Sequence, residues 1–123
     1  MDVMDDQSNF VGTTDPARVA FLIISDDPER AIPGMVMAAR MKSNRNADVR
    51  LLFFGPGTRL AASGKVDEQL DTLRSVGILS KVCTANVDQF GLAAEIAARP
   101  VELVAAGAEV EEFARKGYTV LSF

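Results

Sequence analysis

Six consecutive apolar residues at positions 19–24, VAFLII, followed at once by Ser25, Asp26, Asp27 and Pro28, constrain this chain more than any other feature. A strand with one solvated face alternates apolar and polar residues. An unbroken run rich in β-branched and aromatic residues instead fits a strand buried on both faces, as in a parallel sheet covered by helices. The polar cluster behind it is a turn and helix start, with Asp27 placed to cap and Pro28 to take the first helical position. A helical stretch through Met35, Val36, Ala38, Ala39 and Met41 follows, with Pro33 and Gly34 in its early turns.

The same alternation recurs. Residues 49–54 (VRLLFF) predict a second strand, stopped by Gly55, Pro56 and Gly57. Val66, Leu70, Leu73 and Val76 lie on one stripe opposite Asp67, Glu68, Asp71 and Arg74, which predicts a helix over 66–76 ended by Gly77, with Ile78 as the apolar partner of a Schellman cap. A short third strand at 80–83 precedes Asn86 and Gln89, spaced as a capping box for a helical segment that Gly91 interrupts before 92–98. Beyond Pro100, residues 101–105 read as a fourth strand, 109–116 as a helix with Gly117 past its end, and 118–123 (YTVLSF) as a fifth strand.

Strands alternating with helices at this spacing need crossover connections. The expected architecture is one α/β domain with a mostly parallel five-stranded sheet and helices on both faces, a three-layer arrangement of the Rossmann or flavodoxin type. It takes in residues 17–123. Residues 1–16 lack periodicity and end in Thr13, Thr14, Asp15 and Pro16, so they read as a flexible acidic lead-in. A chain of 123 residues has room for one core.

Several function classes are excluded by composition. No apolar run approaches the ~20 residues of a membrane span, and the acidic N-terminus has no hydrophobic signal region, so the expected compartment is the cytoplasm. A net charge of −4 argues against a nucleic-acid surface, and Arg40, Lys42, Arg45 and Arg50 are interspersed with polar residues in the manner of a solvated helix end. The chain has no histidine, which removes Ser/His/Asp and Cys/His catalysis and the commonest metal ligand together. Its single cysteine, Cys83, excludes an internal disulfide and a cysteine-rich zinc cage.

In open parallel sheets functional groups gather beyond the carboxyl ends of the strands. The candidate loops are therefore 25–28, 55–58, 83–86 and 105–107. Asp26 and Asp27 stand where receiver domains hold a metal, but the acceptor aspartate and lysine of such domains have no counterpart, and capping by Asp27 is the plainer role. Gly55, Pro56, Gly57, Thr58 and Arg59 begin like a dinucleotide loop, but Leu60 fills the third glycine position and no acidic residue closes a following strand. A turn into a helix whose free amides hold a small anion is the alternative. A ligand in these loops would draw on Asp26, Gly55, Gly57, Thr58, Thr84 and Asn86. Cys83, where a strand gives way to a helix start, is placed for its thiolate to be favoured by helix amides; a buried structural thiol is the plain reading of the same position.

The stretches VAFLIISDD, VRLLFFGPGTRL, LDTLRSVGILSKVCTANVDQFGL and GYTVLSF together resemble the DsrE/DsrF-like family of sulfur-relay proteins over residues 18–123. The resemblance is most specific at Cys83, Thr84 and Ala85 followed by Gly91, which match the setting of the family's sulfur-carrying cysteine. It implies the family's fold, a persulfide carried on Cys83, donor and acceptor proteins as partners, and a homo-oligomer, a trimer or hexamer. A persulfide relay needs one accessible thiolate and neither a cofactor, a metal nor a resolving cysteine. The reading from a different class is a non-enzymatic small-ligand or protein-interaction module in which Cys83 is incidental.

Overall fold

A computed structural model describes residues 15–123. Of the lead-in expected over residues 1–16, all but Asp15 and Pro16 lies outside them. Five strands, β1 (Arg18–Ile23), β2 (Asp48–Phe53), β3 (Ser80–Cys83), β4 (Val101–Val104) and β5 (Thr119–Ser122), form one sheet in the order β4-β3-β2-β1-β5. Every neighbouring pair is parallel, so the sheet is wholly rather than mostly parallel. The connecting helices are α1 (Pro28–Arg45), α2 (Pro56–Ala62), α3 (Asp67–Ser75), α4 (Thr84–Phe90), α5 (Ala93–Ala97) and α6 (Ala106–Arg115).

Strand order decides which face each helix covers. From β1 to β4 the chain advances in one direction, and crossovers of a single hand keep their helices on one side. Here Val19, Phe21 and Ile23 of β1 and Val49, Leu51 and Phe53 of β2 form one core with Met35 of α1, Leu60 of α2, Leu73 of α3, Val87 of α4 and Ile96 of α5. Phe21, Phe53, Met35 and Leu60 are buried, each contributing about 1.5–3 kcal/mol from the apolar surface removed from water. The chain then returns past β1 to lay down β5, and the reversal sends α6 across the opposite face. That side holds a smaller cluster of Ala20, Leu52, Cys83, Ala106, Phe113 and Tyr118.

Local signals account for most boundaries. The Asp27 carboxylate accepts the Glu29 N–H at 3.0 Å and caps α1, with Pro28 in its first turn. Gly77, at φ +90°, lets the Ile78 N–H reach the Leu73 carbonyl at 2.9 Å, the Schellman closure of α3. The turn at Gly55 leads into a helix, the alternative read for this segment, since α2 follows with Pro56 in a first-turn position that needs no N–H and Gly57 permitting a close backbone approach. Two expectations are corrected. α4 begins at Thr84 with Cys83 as its cap residue, so Asn86 lies inside the helix and is not its cap. α6 starts at Ala106 rather than at position 109.

Candidate functional site

Cys83 is the last residue of β3 and pairs with Val104 of β4. Strand geometry continues through it, with φ −66° and ψ 115°, so side chains alternate up to this point. Lys81 and Cys83 therefore share the face covered by α6. The thiol is buried, at 3 % exposure, in the cluster with Leu52, Ala106 and Phe113. In this conformation it does not meet the accessibility a carrier requires, and the reason is tertiary: the face it alternates onto is the one α6 crosses.

The turn around Cys83 is stitched to its neighbours. The Thr84 hydroxyl donates to the Val104 carbonyl at 3.1 Å. Asn86 Oδ1 accepts the Gly55 N–H at 2.7 Å, joining the start of α4 to the end of β2, while its Nδ2 donates to Gln89 Oε1 at 3.3 Å. The Arg59 guanidinium lies over the Phe90 ring, 3.8 Å from its centre, and links α2 to α4.

The 55–58 turn is sealed rather than open. Besides Gly55, the Gly57 N–H donates to Phe54 and the Thr58 N–H to Gly55, at 3.2 and 2.9 Å. No amide of these three residues is left for an anion, and Gly57 and Thr58 are buried. A Cβ at Gly57 would overlap the Ile23 carbonyl oxygen, so this glycine serves backbone packing against β1. The Thr58 hydroxyl is buried and has no hydrogen-bond partner.

Asp26 belongs elsewhere. It is exposed at the carboxyl end of β1, where the chain direction reverses between β1 and β5, and it borders a cavity of about 660 Å³ with Ile24, Ser25, Arg30, Pro56, Ser122 and Phe123. A smaller hollow of about 150 Å³ lies between Asp26 and Arg59, Leu60, Ser63 and Lys65. Cys83, Thr84 and Asn86 line neither. The predicted residues thus separate into a Cys83–Thr84–Asn86–Gly55 cluster and Asp26 at the switch point, two strands away from β3.

Two polar pairings on the face covered by α6 were not foreseen from the sequence, one at Lys81, two residues before Cys83, and one around Tyr118 at the opposite end of α6. Lys81 pairs with Glu109 of α6 at 2.8 Å, the two side chains being 19 % and 20 % exposed. The Tyr118 hydroxyl donates to Asp48 at 2.6 Å, Arg50 donates to the same carboxylate at 3.2 Å, and the Arg50 guanidinium stands 5.2 Å from the Tyr118 ring centre. Burial alone would raise the Asp48 pKa, but the hydrogen bonds from Tyr118 and Arg50 outweigh it and hold the carboxyl below its ordinary value. Burial, then the bond to Asp48, raises the Tyr118 phenol. Only an alternation argument at β3 carried a sequence signal for any of this, in that Lys81 stands two residues before Cys83. Among the described residues no cluster of three or more acidic, cysteine or histidine side chains is placed to hold a metal.

No protein-family model matches the chain. No curated protein matches it in sequence. Solved structures do match. The conserved protein of unknown function BT1422 from Bacteroides thetaiotaomicron superimposes with a TM-score of 0.74 at 17 % identity, covering 86 % of this chain and 95 % of that one. The protein of unknown function MTH1491 from Methanobacterium thermoautotrophicum gives 0.71 at 17 %, covering 87 % and 99 %. The ychN protein of E. coli gives 0.68 at 18 %, covering 86 % and 99 %. At these identities the likeness shows the fold alone, a single all-parallel α/β domain like that of the ychN protein.

Proposed function

We propose that this chain is a DsrE-like sulfur-relay protein, acting in the cytoplasm, that accepts sulfane sulfur on Cys83 and passes it to a protein partner. The observation that carries the reading is the position of the sole cysteine, at the carboxyl end of a central parallel strand and at the cap of α4. It is supported by the sequence resemblance and by the fold shared with ychN. In the relay the Cys83 thiolate attacks the outer sulfur of a donor persulfide. The donor S–S bond breaks, the donor thiolate leaves with the electron pair, and Cys83 becomes a persulfide. An acceptor thiolate then attacks the outer sulfur and releases the Cys83 thiolate. Thiolate and sulfur exchange places at each step, so no external oxidant or reductant enters.

The test is loading of the native protein with a low-molecular-weight persulfide, read by intact mass. One added sulfur on wild type and none on Cys83→Ala is expected. A native protein that stays unloaded, including under conditions where Cys83 alkylates, sinks the reading. The burial of Cys83 favours a second reading, a small-ligand module whose site is the cavity bounded by Ser25, Asp26, Arg30 and Ser122 at the β1/β5 reversal.

A further inference from the structure

The helix that covers Cys83 is fastened unevenly. At the C-terminal end of α6, Phe113 is buried and its ring lies 5.8 Å from that of Tyr118. The Tyr118 N–H donates to the Phe113 carbonyl at 2.9 Å, and its hydroxyl is bound to Asp48. The N-terminal half has much less. It buries only Ala106 fully, with Val110 partly covered, and no side chain caps its first turn. Beside Ala106, Gly107 has no atom within 4 Å of where a Cβ would sit. What ties this end across the sheet is the Lys81–Glu109 pair, and Lys81 lies two residues before Cys83 on the same face of β3.

We infer that the first half of α6 is a lid over Cys83 and that the Lys81–Glu109 pair is its latch. With the pair made, the thiol is shut away from water and stray electrophiles. With it broken, this end lifts about the Phe113–Tyr118 anchor by local opening rather than global unfolding, and the sulfur becomes reachable. The inference rests on the reading of Cys83 as the working thiol, and reconciles that reading with its burial. A partner that offers its own charges to Lys81 or Glu109 would open the lid as it docks.

The experiment is the rate at which iodoacetamide alkylates the folded full chain, followed by intact mass at several low urea concentrations; with one cysteine, the adduct reports Cys83 alone. Wild type is compared with Glu109→Gln, Lys81→Met and Glu111→Gln, the last breaking the exposed Arg115–Glu111 pair of the same helix. Both latch variants are expected to react about tenfold faster, the factor that ~1.4 kcal/mol of lost closure represents, with little urea dependence, and Glu111→Gln at the wild-type rate. The common direction is the discriminating result. Acting only through the thiol's charge state, loss of Lys81 would slow the reaction and loss of Glu109 would speed it. Opposite changes, no change, or rates that follow global unfolding overturn the lid. Persulfide loading of the same variants separates the two readings. Fast alkylation without loading leaves the lid and overturns the carrier, whereas loading with unchanged alkylation overturns the lid alone.

Discussion

At the residue scale, Cys83 is a core side chain at the position proposed above for the sulfur carrier. Cys83 is 3 % exposed and belongs to an apolar cluster with Ala20, Leu52, Ala106, Phe113 and Tyr118, a setting poor in partners for a hydroxyl. Cys83→Ser is therefore expected to lower stability by about 1–3 kcal/mol, the cost of burying an unsatisfied polar group. A urea denaturation curve identical to wild type would mean that the thiol is more open than its surroundings indicate. Cys83→Ala, which leaves a small void and no orphaned hydroxyl, is the better control for loading experiments. Asn86 shows the same double character: its spacing to Gln89 reads as a cap, yet its shorter hydrogen bond reaches back 31 residues to Gly55.

At the element scale, β2 and the segment after α6 are joined by the Tyr118–Asp48–Arg50 cluster, and this joint carries a pH dependence. Asp48 has a folded pKa below its ordinary value, so its contribution to stability is complete above the ordinary carboxylate range and is lost as pH falls through that range to the folded value. Tyr118→Phe removes one of the bonds that lower the pKa. Its stability deficit against wild type should be largest near neutral pH and should narrow as the pH is taken from about 6 to about 2. A deficit constant across that range, measured by urea midpoints at fixed ionic strength, would show that the hydroxyl acts by packing alone.

At the scale of the whole molecule, helix coverage among the described residues is lopsided: five helices pack on one face of the sheet and α6 on the other. Val120, beside Ala20 in the sheet, and Ile24 and Phe54 at the strand ends are left 37–40 % exposed. Surface of this kind, with an edge strand β5 that carries no charge, is suited to a second copy of the chain, and a homo-oligomer is the assembly the family resemblance implies. Light scattering at micromolar concentration should give a multiple of the chain mass, and Phe54→Lys with Val120→Lys should shift it to one chain without loss of secondary structure. A wild-type monomer would refute the assembly.

The sequence alone determined the α/β class and nearly every strand, because continuous apolar runs, Gly and Pro stops and the 3.6-residue stripe of α3 are local consequences of burial and backbone chemistry. It also placed Cys83 at the end of β3 and Asp27 at the cap of α1. The sequence offered a turn into a helix at Gly55 only as one of two readings and set no end to it, while the close passage of Gly57 over the Ile23 carbonyl is a tertiary contact that the sequence did not show. Which face Cys83 meets, and so whether its thiol is open, was decided by the order β4-β3-β2-β1-β5, since only the return of the chain past β1 sends α6 over that face. The Lys81–Glu109 pair spans 28 residues and the Tyr118–Asp48 bond 70. Contacts at such separations leave no periodic trace in the chain, so they exist as information only once the strands have been set side by side.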